Sequence, residues 1–246
     1  MYNRINEILN HGFSGKWFLD SGSLLGVVRD GKFLKSDRGI DISVIVNDYS
    51  DPEIENTVRR LENLGFVVSR YKWGDVVYKY CIAPKNSSRF PYAIDLHLFK
   101  RLNDEYICPQ VSLMSQKTLI ANLTTSLKKG GMPKEKKGIK GLFIKVYSYI
   151  YRDVFKYFGA PMRMRKRALE GTGTPYLWFI PVFLFNGVES GIVENMNVLK
   201  APESYLEFRY GKWRIPVSDW VTLRDDGGIR KSSVEEIDKL ILKVNK

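Results

Sequence analysis

DSGSLLGVVRDGKFLKSDRGIDISV, residues 20–44, places a Gly-Ser turn, a short apolar helix and a two-faced strand side by side. Ser23 to Arg29 is long enough for one or two helical turns. GIDISVIV (39–46) alternates Ile40, Ile42 and Val44 with Asp41 and Ser43, the period-two pattern of a strand with distinct faces. Arg29 follows the turn, and Asp37 and Asp41 flank the start of the strand. These residue types suit phosphoryl transfer. Small residues let backbone N–H groups approach phosphate oxygens, and carboxylates hold a hard cation that neutralises charge on the transferring group.

Upstream of this stretch, Tyr2 to Asn10 carries Ile5, Ile8 and Leu9 at helical spacing, and KWFLD (16–20) is strand-like. Downstream, Asp51-Pro52-Glu53 supplies an N-cap, a proline at the first helical position and an early acid, so a helix is expected to about Leu64. FVVSRYKW (66–73), DVVYKYCIA (75–83) and YAIDLHLF (92–99) follow as strand-like runs. The order implies an α+β fold, a mixed sheet with helices on one face. Ala93, Asp95 and His97 share a face of the last run. An acid in so apolar a strand needs a cation or several donors, because burying it unpaired costs several kcal/mol or more. His97 is either a satisfied core histidine or, facing the site with Asp95, a general base for an acceptor hydroxyl. TPYLWFIPVFLF (174–185) is too short to span a bilayer and reads as core.

The chain has 246 residues, 44% of them hydrophobic and 13% aromatic, ample for a packed core. The two cysteines, Cys81 and Cys108, are too few for a zinc cage of their own, and with only His11 and His97 beside them any metal site is expected to be mostly oxygen, which favours Mg2+ or Mn2+. The N-terminal residues lack the apolar stretch of a signal peptide, and nothing approaches the roughly 18 apolar residues of a membrane span; a cytoplasmic protein is expected. The net charge is +12, and it is concentrated: Lys128 to Arg167 holds 13 basic residues against Glu135 and Asp153. Within it, Phe143, Tyr147, Ile150, Val154 and Tyr157 recur at helical spacing with Lys145, Arg152 and Lys156 on another face, as in a basic amphipathic helix. Such a helix can lie on an anionic membrane surface, pack on the core, or face a phosphate-rich ligand. No recognisable RNA motif accompanies the basic residues, so a nucleic-acid partner is not expected.

The segment GSLLGVVRDGKFLKSDRGIDI resembles the LicD and fukutin-related family of nucleotidyltransferase-fold phosphotransferases, whose signature runs G-T-L-L-G-x-x-R and then Ile-Pro-Trp-Asp-x-Asp-x-Asp. YAIDLHLF is similar to the family's later acid-bearing strand, and APESYLEFRYGKWRIPVSDW (201–220) to its closing element. The resemblance implies a polymerase-β-like nucleotidyltransferase core and transfer of a substituted phosphate, of the phosphocholine or polyol-phosphate type, from a CDP-linked donor to a sugar hydroxyl. By carry-over, Gly22 and Ser23 begin the phosphate-facing turn; Asp20 just before them is either a strand-end or helix-cap residue or a substrate contact. Arg29 contacts the donor or orders the loop, and Asp37, Asp41 and Asp95 are the metal-binding and catalytic acids. One position departs from the pattern: the middle acid of D-x-D-x-D is Gly39, and the Pro-Trp before it is Lys35-Ser36.

The expected organisation is a core over 1–109, a basic, mostly helical insertion over 110–175, and a C-terminal part, 176–246, packing back on the core. The expected partners are a CDP-linked donor, a glycan or lipid-linked glycan acceptor and, through residues 128–167, an anionic membrane surface at the inner membrane face. Gly39 keeps open a second class, a degenerate relative acting as a glycan- or partner-binding module. The basic segment keeps open a third, an RNA-acting nucleotidyltransferase.

Overall fold

The structure is a computed structural model, and it describes residues 1–34, 37, 39–85, 92–113 and 173–243. Helix α1 (Tyr2–Phe13) buries Ile5, Leu9 and Phe13 and stops at Ser14, which is left-handed at φ 41°. Strand β1 (Trp17–Leu19) leads into α2 (Ser21–Asp30), capped at its start by the Asp20 side chain and at its end by Gly31 at φ 65°. After β2 (Gly39–Val46), α3 (Pro52–Asn63) begins at Asp51, whose side chain accepts from the Glu53 N–H, with Pro52 in the first turn. Four strands follow: β3 (Phe66–Trp73), β4 (Val76–Pro84), β5 (Ala93–Leu102) and β6 (Glu105–Leu113).

Beyond the undescribed residues come β7 (Gly173–Pro181), a short 3-10 turn at Val182–Leu184, and the small β8 (Val188–Ser190) and β9 (Asn197–Leu199) pair. Helix α4 (Pro202–Tyr210), α5 (Thr222–Asp225), β10 (Ile229–Lys231) and α6 (Val234–Lys243) complete the described chain. The result is a mixed α+β fold, as the alternation of patterns implied.

The principal sheet runs β1-β2-β5-β6-β7-β10, with β4 joining β5 and β3 outside β4. Its centre is the parallel pair β2 and β5, aligned from Gly39 opposite Ala93 to Val46 opposite Lys100. The other edge of β5 is shared: β4 pairs with its first half, Ile94 to His97, and β6 with its second, Lys100 to Leu102. Ile40, Ile42, Val44, Ile94, Leu96 and Leu98 fill one face and are fully buried. Each is worth about 1.5–3 kcal/mol on burial. That face fixes the register, since a slip of one residue would exchange it with the face bearing Asp41 and Asp95.

TPYLWFIP, read from sequence as a core run, is the strand β7, paired along its length with β6. Leu113 and Gly173 are register partners, so the chain leaves and rejoins the sheet at adjacent positions. The strands therefore claim 110–113 and 173–175, which the sequence reading had placed in the insertion. The basic stretch 128–167 and its amphipathic pattern lie outside the described residues. Among the described residues no helix is long and apolar enough to cross a membrane.

Candidate functional site

Asp41 stands third in β2, clamped by the turn that opens α2. Its N–H donates to Ser23 Oγ at 3.0 Å, and its carbonyl accepts from the Asp20 N–H at 2.9 Å. Ser21, between those residues, has φ 51°, a left-handed conformation that a non-glycine residue adopts at a cost. The parallel register places Asp41 beside Asp95 and Ser43 beside His97 on one face. From β4, Lys79 lies opposite His97 and its Nζ donates to Asp95 Oδ2 at 2.9 Å.

Asp41, Asp95 and His97 each offer a ligand atom within 4.8 Å of the others. The two carboxylates are held in different states. Burial, then the charge of Asp95, pushes the Asp41 carboxyl up to about 7. Burial acts in the same sense on Asp95, but the Lys79 ammonium overcomes it and holds that carboxyl below its ordinary value. His97 is held down to about 3 by burial and by Lys79, so its ring is neutral. Its Nδ1 meets Gln110 Nε2 at 3.0 Å and its face packs on Trp178 at 4.6 Å between centroids. Its Nε2 has no hydrogen-bond partner among the described residues and lies 3.8 Å from Asp41 Oδ1. Two carboxylates, one of which resists ionisation, beside an orphaned imidazole nitrogen form a donor set that fits a divalent cation.

The other expected site residues divide. Gly22 and Ser23 are at the turn, but the Ser23 hydroxyl is spent on β2, and Ser23 is buried. Asp37, expected as an outer metal ligand, stands outside the three-atom cluster. Its carboxylate lies against Gly22, so near that a Cβ there would fall 2.2 Å from Oδ2. Burial and the Asp41 charge raise its carboxyl, and Oδ2 has no partner among the described residues. Arg29 is not brought in: it occupies the far end of α2, about 12 Å along the axis from Ser21, and forks onto Asp30 at 2.9 and 3.0 Å. Among the described residues, a Cβ at Gly39 would meet only the Ala93 carbonyl, at 3.4 Å.

Asp20 is fully buried, and its partners are all protein groups: the Ser21 N–H, Ser43 Oγ, Tyr205 Oη at 2.8 Å and Arg209 Nη1 at 3.0 Å. It caps α2 and supports the turn from beneath, the helix-cap alternative left open by the sequence. Arg209 and Asp226 were not singled out from sequence. Arg209 sits on α4 over the Trp178 ring, 5.2 Å from its centroid, and also pairs with Asp226. The closing element thus braces the turn through Tyr205 and Arg209; the sequence signal was an arginine within the tyrosine-rich YLEFRYG.

Gly22→Ala tests the close approach of Asp37. Alanine in a helix gains about 1 kcal/mol over glycine, which offsets much of the displacement, so the melting temperature should move little. Turnover should fall about tenfold or more, because Asp37 must leave the turn; unchanged turnover would show that its position there is immaterial.

Residues 15–118 match the family model described as LicD/FKTN/FKRP, nucleotidyltransferase domain. No curated protein matches the sequence. Among solved structures, the crystal structure of ANT(2″)-Ia in complex with adenylyl-2″-tobramycin is similar at 13% identity and a TM-score of 0.30, over 42% of this chain and 51% of that one. The chain therefore spans about half the length of that protein, and at that TM-score the likeness carries no argument. The family match includes the turn, Asp41, Asp95 and His97; the closing element at 201–220 lies beyond it. Over that part of the chain it supports a LicD-family assignment and, more coarsely, a glycan-modifying transferase.

Proposed function

We propose that this LicD-family chain is a divalent-cation-dependent phosphotransferase that moves a substituted phosphate from a CDP-linked donor to a sugar hydroxyl of a cell-surface glycan or lipid-linked glycan intermediate. The observation that carries the reading is the Asp41 and Asp95 pair, side by side on adjacent parallel strands beneath the strained opening of α2.

Asp41 and Asp95 would hold Mg2+ or Mn2+, which when bound neutralises charge on the donor diphosphate. The N–H groups at the opening of α2 supply donors for phosphate oxygens. The acceptor hydroxyl attacks the phosphorus distal to cytidine; its oxygen bonds to that phosphorus as the bond to the departing CMP oxygen breaks. Asp37 is the group suited to take the hydroxyl proton. Burial and the Asp41 charge raise its carboxyl, which favours taking up a proton, and Oδ2 has no competing partner among the described residues. His97, neutral and held down to about 3, suits that role poorly. Lys79 keeps Asp95 ionised.

In this reading 1–109 and 176–246 form the catalytic body, and the basic residues between 128 and 167 draw it to an anionic, phosphate-rich or membrane-bound acceptor at the inner membrane face. A second reading, a binding module without turnover, is favoured only by Gly39. Thermal denaturation with CMP or CDP and Mg2+ or Mn2+ separates the two. A rise of about 5–10 °C at a hundredfold excess over Kd supports the transferase, and a response to glycan alone supports the module.

A further inference from the structure

We infer that the cation site of this chain is a two-carboxylate, one-imidazole site, in which His97 Nε2 takes the place left by Gly39, and that it prefers Mn2+ to Mg2+. The inference rests on the proposed metal-dependent function and goes beyond it in naming the ligand set and the ion it selects.

Gly39, Asp41 and Ser43 occupy one face of β2, and Ala93, Asp95 and His97 the matching face of β5, row against row. The first row is empty of ligands because it pairs glycine with alanine. The second supplies both carboxylates. The third supplies the imidazole, so the donor set has moved one row along the sheet. His97 is 2% exposed, and its Nε2 has no hydrogen-bond partner among the described residues although it lies 3.8 Å from Asp41 Oδ1. A buried ring nitrogen left without a partner carries a desolvation cost that a ligand would remove.

The surroundings hold the ring in place for that role. Trp178 packs against one face, and Gln110 fixes Nδ1 at 3.0 Å. For Nε2 to bind an ion, the ring proton moves to Nδ1. A half-turn of the Gln110 carboxamide then presents its oxygen as acceptor, the outer contact that a metal-bound histidine ordinarily makes. Gln110 is accordingly a positioning residue. The charge count agrees. Lys79 already balances Asp95 through Oδ2, so an uncharged imidazole completes the donor set without adding a third negative charge to a half-buried site. Mg2+ demands near-ideal octahedral oxygen coordination, whereas Mn2+ and later transition ions accept a nitrogen donor more readily.

The chain has only two histidines, and His11 is exposed on α1 beside Arg60, which makes a direct test possible. Protein labelled with 15N-histidine is loaded with Mn2+ and measured by pulsed EPR. We expect a 15N coupling on the bound ion that persists in His11→Gln and disappears in His97→Gln, with Mn2+ bound about tenfold more weakly in the latter. Mg2+ should displace Mn2+ from the wild type only at about tenfold or greater excess. Gly39→Asp, which the space beside residue 39 admits, should narrow that preference by adding an oxygen donor. Bound Mn2+ with no nitrogen coupling in the wild type would overturn the inference and leave the proposed function standing. Failure to bind Mn2+ at all would overturn both.

Discussion

Arg209→Met should lower the stability of the folded protein by about 3–5 kcal/mol, the usual cost of removing one partner from a buried ionic network. The Arg209 side chain is 2% exposed and bridges Asp20 and Asp226, whose side chains are 0% and 1% exposed. Methionine fills much of the volume but leaves two carboxylates buried without their cation. For a chain of this length the melting temperature should drop by about 10 °C or more, read by calorimetry or circular dichroism. Arg209→Lys should recover only part of the loss, because lysine cannot fork onto both acids. The effect should also reach the site, since Asp20 carries the turn that clamps Asp41. A loss under about 1 kcal/mol would mean that the network is not what holds the turn.

Asp41→Asn should reduce turnover by about a thousandfold while leaving the fold intact, and it should change the pH dependence of stability in a defined direction. The Asp41 carboxyl is raised from 3.8 to about 7 in the folded protein, so the folded state holds its proton more tightly than the unfolded chain does. The resulting stabilisation is complete below pH 3.8 and is lost as pH rises through about 7. Asparagine mimics the protonated acid at every pH. In the presence of a chelator the variant should therefore match the wild type in acid and exceed it above about pH 7. The expected margin is about 2 kcal/mol, discounted for partial exposure and for the charge shared with Asp95. The two curves running parallel from pH 4 to pH 8 would refute this account of Asp41. Because the ion must displace that proton, its affinity should also rise with pH until Asp41 is ionised.

Local chemistry was legible in the sequence where local rules govern. The alternation in 39–46 gave β2 with the bounds observed, and Asp51-Pro52 gave the start of α3. Asp41, Asp95 and His97 were each found from their strands. Their meeting was implied only by the family resemblance and not by the residue pattern itself, because a parallel pairing with α3, β3 and β4 between its strands is a property of topology. Lys79 was hidden for the same reason: it becomes a partner of Asp95 only when β4 takes the other edge of β5.

Asp37 was grouped with Asp41 because carboxylates spaced along one segment look equivalent until the chain turns. The turn leaves Asp37 at Gly22 and takes Asp41 into the sheet. For Asp20 a substrate contact stayed open beside a helix cap because its partners, Tyr205 and Arg209, come from the other end of the chain. Strand β6, with Pro109 inside it, carried too weak a strand pattern to be read, and so the partner of β7 was missed.

The most direct test of the central claim is CMP release. Wild-type protein and Asp41→Asn are each incubated with a panel of CDP-linked donors, a glycan acceptor and Mn2+ or Mg2+, and CMP is quantified with and without chelator. The account predicts that at least one donor yields CMP in an acceptor-dependent reaction that chelation abolishes and Asp41→Asn reduces about a thousandfold. CMP release that proceeds equally well in Asp41→Asn, or no release from any donor by a protein that binds the nucleotide and the ion, would contradict it.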